Sequence, residues 1–364
     1  MDNEHKPSLL YIMGIDWDWI FQRPQIIERH LEESNDVTVI FPRSILKLFA
    51  RRKSRYPRRY KILWTLPLQE KVWVIGKLSR LLNLHVFQGI HEYDAVVVGY
   101  PLYYRYVPRS YPGMLIYDCM DNYEALYPYR PGVGVLLHQE KELVGRSSLV
   151  FASSQRLVEK LKVYCSAHVP RMELLRNGTD VPGTLPPISV PSRQERYMLG
   201  YFGTIAEWFD IGLLSESLRQ MDNIEYRLIG PASIPLPMHP RLVSEGVVHH
   251  DALYAAVQPY ACLVMPFLPN EAVLYVDPVK LYEYIVMGKC IIAVSYPEIE
   301  RFEDFVYFYH SPEEYIRLLR DLVREGFPPK YTARQRQCFL EENSWQARFR
   351  TWDKALEETR NRNP

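Results

Sequence analysis

Lys280 and Glu283 stand three residues apart in DPVKLYEYIVMGKCIIAVS, residues 277–295. Residues three apart share a helix face, and Val279, Tyr282, Ile285 and Val286 recur at helical spacing. Asp277 is placed to cap such a helix, and Pro278 suits its first position because it has no amide to leave unsatisfied. Gly288 then ends it, and CIIAV reads as a buried parallel strand. A helix N-terminus attracts anions through unpaired amides and its dipole, and a lysine beside it adds a mobile positive charge. The pattern predicts a phosphate held near Lys280 and sugar hydroxyls bonded by the Glu283 carboxylate. An ion pair on the helix surface is the alternative.

Such a helix needs a sheet to hold it. Apolar runs alternate with amphipathic stretches along most of the chain: SLLYIMGI, DVTVIFP, DAVVVGY, MLIYDCM, SLVFASS and RMELLRN, then YMLGYFG, NIEYRLIG, GVVHHD, ACLVMPF and KCIIAVS. Strand–helix alternation predicts an α/β fold with parallel sheets, and in such sheets ligands sit at the carboxyl ends of the strands. A length of 364 residues predicts two domains. We place them at 1–185 and 197–330, joined by a proline- and serine-rich linker at 186–196 and followed by a helical tail at 331–364. Two such domains in series leave a cleft between them.

The bulk numbers exclude several classes. A hydrophobic content of 47% and a charged content of 24% describe a soluble globular chain, and a net charge of +1 by itself implies neither nucleic acid nor membrane. No apolar run approaches the roughly 20 residues that cross a bilayer. MDNEHKPS lacks the layout of a signal peptide, so a cytoplasmic location is expected. Cysteines 119, 165, 262, 290 and 338 show no CxxC spacing, which predicts reduced thiols and no zinc site.

GYFGTIAEWFD, YRLIGP, VMPFLPN and DPVKLYEYIVMGKCIIA, in that order, resemble the donor half of GT-B glycosyltransferases, closest to the large retaining family numbered four. DWIFQRPQ, YDCMDNYE and NGTD in the first half are similar to a bacterial cell-wall subgroup that includes teichuronic acid glycosyltransferases. The resemblance covers nearly the whole chain and is most specific from Pro266 to Val294. It implies two Rossmann-like domains facing a central cleft, with a C-terminal helix packing back across them. It implies that Lys280 contacts the donor diphosphate and Glu283 the ribose, with Gly203 and Thr204 offering backbone amides to the diphosphate. Gly230 and His249 would line the base pocket. As plain strand-end residues, Gly203, Gly230 and His249 would have no such role. Members of the family commonly carry a glutamate eight residues before the one matching Glu283; here Tyr275 stands there, with Glu271 or Asp277 nearby to compensate.

Three loops of the first half carry further polar groups. In GIDWDWIFQRPQ, Asp16, Trp17, Asp18 and Arg23 are candidates to contact acceptor or sugar. Trp17 either stacks on a sugar ring or packs, and Arg23 either grips phosphate as a two-pronged donor or forms a structural salt bridge. The DWD spacing matches a short metal-binding pattern, but lysine, arginine and helix N-termini supply charge neutralisation in this architecture, so no metal or other cofactor is expected. Asp118 and Asp121 follow the strand MLIYDCM; either could orient an acceptor hydroxyl or take its proton, and either could be a helix cap or a loop residue. Asn177-Gly178 reads as a structural turn.

From Arg43 to Lys61 the chain carries nine basic residues and no acid, including Arg51, Arg52, Lys53, Arg55, Arg58 and Arg59, and apolar residues with two tryptophans follow to about residue 85. Cations beside apolar groups suit an anionic membrane surface. A nucleic-acid patch and a solvated helical insertion are the alternatives, and the first is disfavoured because the patch is local. The reading as a whole is a peripheral enzyme at the inner face of the plasma membrane. It would move a sugar from a nucleotide donor, UDP-linked by resemblance, to a lipid-linked or polysaccharide acceptor, without nucleic acid. A sugar-nucleotide epimerase of the same architecture and a nucleotide-binding scaffold without turnover are the other readings; an oxidoreductase is disfavoured because neither half contains GxGxxG.

Overall fold

The computed structural model describes residues 6–50, 55–69, 72–126, 132–165, 169–188 and 190–362. Its strands are β1 (Ser8–Ile12), β2 (Asp36–Ser44), β3 (Tyr60–Thr65), β4 (Ala95–Val98), β5 (Met114–Cys119), β6 (Leu149–Ala152), β7 (Arg171–Leu174), β8 (Tyr197–Phe202), β9 (Ile224–Ile229), β10 (Leu242–Gly246), β11 (Cys262–Met265), β12 (Cys290–Val294) and β13 (Tyr307–Tyr309). One sheet runs β3-β2-β1-β4-β5-β6-β7 and the other β10-β9-β8-β11-β12-β13. Their strands pair in parallel throughout, as in Leu9 with Ala95 and Cys262 with Cys290.

In each sheet the strand order reverses once, between β1 and β4 and between β8 and β11. Chains leaving the carboxyl ends on either side of a reversal diverge, and the crevice they leave is where open α/β sheets bind ligands. The loops after β1 and β8 and the helix Val279–Met287, which follows β11, therefore start at the right places.

The central strands are buried runs such as AVVV and CIIAV, read directly as apolar sequence. Two strands escape that signal. Edge strand β3 buries only Leu63 and begins at the end of the basic run, and β13 is three residues long. A third is displaced: the strand expected in GVVHHD lies earlier, at β10, and His250 already belongs to a helix.

The chain divides into two compact units, Met1–Arg176 with Phe349–Pro364, and Asn177–Arg348. The first boundary falls nine residues before the expected end of the first domain, because the chain after Arg176 is already tied into the second unit. The Thr179 amide donates to the Asn343 carbonyl at 3.1 Å, and a Cβ on Gly178 would come within 3.0 Å of the Trp345 amide. The expected linker is held as well, with Arg336 Nη2 on the Pro186 carbonyl at 2.7 Å. The helical tail does not act as one piece. Tyr331 and Leu340 join the core of the second unit, whereas Trp352, Ala355 and Leu356 complete that of the first. Trp352 stacks on Phe151 of β6 with ring centroids 4.1 Å apart.

Candidate functional site

In the second unit the helix Val279–Met287 forms as expected and ends at Gly288 in the left-handed conformation, with φ 71°. Its start differs. Pro278 is the N-cap, and no side chain caps the helix. The amides of Val279 and Lys280 have no partner among the described residues, so the first turn keeps open donors.

Lys280 lies half-buried against the end of β8. A Cβ on Gly203 would sit 2.1 Å from Lys280 Cε and 2.8 Å from Nζ, and Gly203 holds φ +132°, a region that L side chains rarely enter. Position 203 therefore takes glycine on two counts. Lys280 Nζ lies 5.9 Å from the Tyr201 ring centre and donates no hydrogen bond among the described residues. Burial lowers the Lys280 pKa, and the Glu283 carboxylate partly opposes that shift. Among the described residues the ammonium has no ion pair within 4.0 Å, and Glu283 is the one charge that offsets its desolvation.

The loop after β8 supplies less than expected. The Gly203 amide already donates to the Ile229 carbonyl at 2.8 Å, and only the Thr204 amide is open among the described residues. The Thr204 carbonyl accepts from Tyr201 Oη at 2.9 Å, which fixes the loop. Gly230 is the glycine of a backbone crossing: a Cβ there would fall 2.1 Å from the Gly203 carbonyl oxygen. That close approach is by itself sufficient reason for glycine at this position. His249 is exposed in the turn before the helix His250–Val257.

Asp277 does something the sequence did not reveal. Its carboxylate is buried and accepts from Tyr282 Oη at 3.0 Å, Arg301 Nη2 at 2.5 Å and the Asn177 amide at 2.7 Å. Asn177 Nδ2 also donates to the Asp277 carbonyl at 2.8 Å. A carboxylate so placed orients the start of the Lys280 helix and cannot stand in for the acid absent at Tyr275; Glu271 is exposed. Asn177 and Arg301 lie 100 and 24 residues from Asp277, beyond any local pattern.

In the first unit, Asp118 lies within β5, not in the loop expected after it, and Asp121 follows the strand, so the two acids separate by environment. Asp118 is fully buried and paired with Arg23, Nη2 to Oδ1 at 2.7 Å, while Arg23 Nη1 donates to the Leu175 carbonyl at 2.7 Å. The pair joins the first helix, β5 and the end of β7, so both groups hold the structure and neither is presented to a ligand. Asp121 is half-buried, and although its carbonyl accepts from Cys119 Sγ, its carboxylate accepts no hydrogen bond among the described residues. Burial raises its pKa from 3.8 to about 6, with Arg23 pulling the other way. A carboxyl shifted to about 6 can exchange a proton near neutral pH.

The loop after β1 is internally neutralised. Asp16 pairs with Lys47 at 2.9 Å, and Asp18 pairs with Arg43 at 2.9 Å and accepts from Tyr56 Oη at 2.7 Å. Trp17 is buried against Phe41 and Tyr56, its Nε1 donating to the Arg55 carbonyl, so it packs and does not stack on a sugar. Of the basic run, Arg51, Arg52 and Lys53 lie outside the described residues. Arg55, Arg58 and Arg59 are exposed, with Arg59 paired to Asp36. Among the described residues, no helix is long and apolar enough to cross a membrane.

Two α/β units with wholly parallel sheets, one completed by a returning C-terminal helix, constitute the GT-B architecture. The comparisons with known proteins agree with this. The chain is similar to sucrose-phosphate synthase from Thermosynechococcus elongatus (TM-score 0.73, 12% identity, covering 97% of this chain and 98% of that one). It is also similar to Anabaena HepE in complex with UDP and glucose (TM-score 0.66, 14% identity, 97% and 100%). At these identities the likeness is one of fold. In sequence, it is 20% identical over 258 residues to TuaH of Bacillus subtilis strain 168, provisionally named as a teichuronic acid biosynthesis glycosyltransferase, and the match spans 65% of each chain. No family model matches.

Proposed function

We propose that the chain is a glycosyltransferase that takes its sugar from a nucleoside-diphosphate donor and passes it to a lipid-linked or polysaccharide acceptor of the cell surface. Lys280 carries this reading: a half-buried ammonium set over Gly203 that, like the amides of Val279, Lys280 and Thr204, has no hydrogen-bond partner among the described residues. A diphosphate is the ligand that completes such a cradle. Glu283, on the same helix face, takes the ribose hydroxyls.

The naming of UDP in the HepE complexes supports a uridine donor, and the likeness to TuaH supports a cell-wall acceptor. Retention of configuration and membership of the family numbered four rest on the motifs between Pro266 and Val294. As the donor bond breaks, charge grows on the leaving diphosphate, where Lys280 and the helix amides stabilise it most. These groups supply the neutralisation without a metal ion. Asp121 serves as the acceptor-side acid, taking up the hydroxyl proton. Tyr275 in place of a glutamate favours a second reading, a nucleotide-binding protein without turnover.

A thermal-shift panel of UDP, GDP, TDP and NAD on the wild type and Glu283→Ala tests the proposal. A ligand at a hundred times its dissociation constant stabilises by about 2.7 kcal/mol. A shift with one nucleoside diphosphate, reduced in the variant, supports the donor site, and sugar transfer then separates the two readings. A panel without any shift overturns both.

A further inference from the structure

The helix Trp73–Asn83 in the first unit is built inside out. Its buried residues are Ser79 and Asn83, both polar and both bonded inward. Asn83 Nδ2 donates to the Trp64 carbonyl at 2.8 Å, its Oδ1 accepts from the Trp64 amide at 2.8 Å, and Ser79 Oγ donates to Gln69 Oε1 at 2.6 Å. A polar seam therefore fastens the helix to edge strand β3, and Gly76 lets it settle there, since a Cβ would meet the Gln69 carbonyl at 2.7 Å. The opposite face follows the i, i+3, i+4, i+7 spacing of Val74, Lys77, Leu78 and Leu81. Val74, Leu78 and Leu81 are 64%, 58% and 66% exposed, and Trp73 beside them is 71% exposed, with Lys77 Nζ 3.8 Å from its ring centre.

More apolar surface leaves the same end of the sheet. Ser44 pairs with Thr65, so the segments that follow β2 and β3 emerge side by side. The first carries Leu46 and Phe49, both largely exposed, and the Lys47–Asp16 and Arg43–Asp18 pairs tie it to the loop bearing exposed Trp19 and Phe21. Charge complements this surface. Residues 43–91 contain twelve lysines and arginines and one acid, Glu70. Among the described residues, the acids of the neighbouring loop, Asp16 and Asp18, are already paired. The cores of protein–protein interfaces are depleted of lysine, whereas cations framing tryptophan and leucine match the boundary between headgroups and acyl chains.

We infer that this face docks the first unit on an anionic lipid bilayer, with the outward side of the Trp73–Asn83 helix and the Leu46–Phe49 turn entering the headgroup boundary. The arginines of the basic run add the long-range attraction, but the apolar helix face makes the contact. The docking stands on this surface alone; only its purpose, bringing the enzyme to a lipid-anchored acceptor, rests on the proposed function.

The test is sedimentation of the full chain with phosphatidylcholine vesicles, with and without phosphatidylglycerol, beside the UDP thermal shift. Docking predicts binding at least about tenfold stronger to the anionic vesicles, weakened by salt, with a blue shift of tryptophan emission. The double variant Leu78→Glu/Leu81→Glu should lower that binding about tenfold or more, because it puts charge into the contact. Val163→Glu, on another exposed apolar residue of this unit, should leave it unchanged. Lys77→Glu/Arg80→Glu keeps the apolar face and should erase the preference for anionic lipid, which covers the case in which the first variant does not fold. Equal binding by wild type and variants overturns the inference. So does a wild type that ignores vesicles, including one that self-associates through this face. Vesicle binding without any UDP shift would instead overturn the proposed function and leave the docking intact.

Discussion

Asn177 grips Asp277 at both ends, its backbone amide on the carboxylate and its side-chain amide on the carbonyl, at 2.7 and 2.8 Å. The first residue of the second unit thereby fixes the residue just ahead of the helix that carries Lys280 and Glu283. Arg301 and Tyr282 complete the cage. Asp277→Ala leaves the Arg301 guanidinium facing a void, and breaking a buried charge pair from one side costs about 3–5 kcal/mol. Denaturant unfolding should show that loss. An Asp277→Ala protein as stable as wild type would remove the cage from the account of the site.

Lys280→Met separates stability from binding. Burial lowers the lysine pKa, so between its folded pKa and 10.5 the unfolded chain binds more protons than the folded one. The strain is fully present below the folded pKa and is relieved as pH rises through it toward 10.5. Replacing the lysine by methionine should therefore raise the melting temperature at pH 7 while lowering UDP affinity about tenfold or more. Loss of both stability and binding would make Lys280 a structural residue.

Glu283→Gln should weaken UDP binding with little change in melting temperature, since the residue is half-buried at the helix start. A ribose contact makes a sharper prediction. The wild type should prefer UDP to its 2′,3′-dideoxy analogue by about 1–3 kcal/mol, and the variant should lose most of that preference. Calorimetry with the two ligands decides it.

Gly203→Ala adds a methyl group where Lys280 Cε passes and imposes φ +132° on an L residue. Both effects destabilise, together by about 2–4 kcal/mol. A thermal melt and a UDP titration should both register the change, because the lysine must move to admit the methyl. An unchanged UDP titration would mean that Lys280 does not lie over position 203.

Asp121 predicts a dependence of the opposite sign. Its folded pKa of about 6 exceeds the ordinary 3.8, so the folded state holds the proton more tightly and stability falls as pH rises from about 4 to 6. Asp121→Asn should be neutral below pH 4 and stabilising by about 1–2 kcal/mol at pH 7, after allowance for partial exposure. Were it the acceptor-side acid, the same variant would also flatten the acidic limb of the pH profile of transfer. A stabilised variant with an unaltered profile would leave Asp121 as a strained bystander.

The sequence carried the parallel-sheet pattern because central strands are continuous apolar runs, and it carried the helix of Lys280 and Glu283 because that pattern is local. It lost β3, an edge strand with one buried residue and no alternation to detect. Asp277 reads as a cap from its place before a helix, but Pro278 is the N-cap and the Asp277 carboxylate is taken by residues 177 and 301, which no window contains. Asp118 and Asp121 look alike in sequence; only the position of Arg23 separates a buried ion pair from an open carboxyl. The basic run was conspicuous by charge, whereas the reversed polarity of the Trp73–Asn83 helix depends on which side Ser79 and Asn83 turn toward β3.

Trp352, Ala355 and Leu356 also set an order of events during synthesis. The first unit begins at the start of the chain, but its core is not full until a segment beyond residue 348 reaches it. At ribosomal rates of about 5–20 residues per second, the face of β6 under Trp352 waits some ten to forty seconds after its own strand has emerged. The second unit, continuous from Asn177 to Arg348, can close in that interval. The half translated first is thus the half finished last, and a newborn chain presents Phe151 to chaperones until Trp352 arrives to cover it.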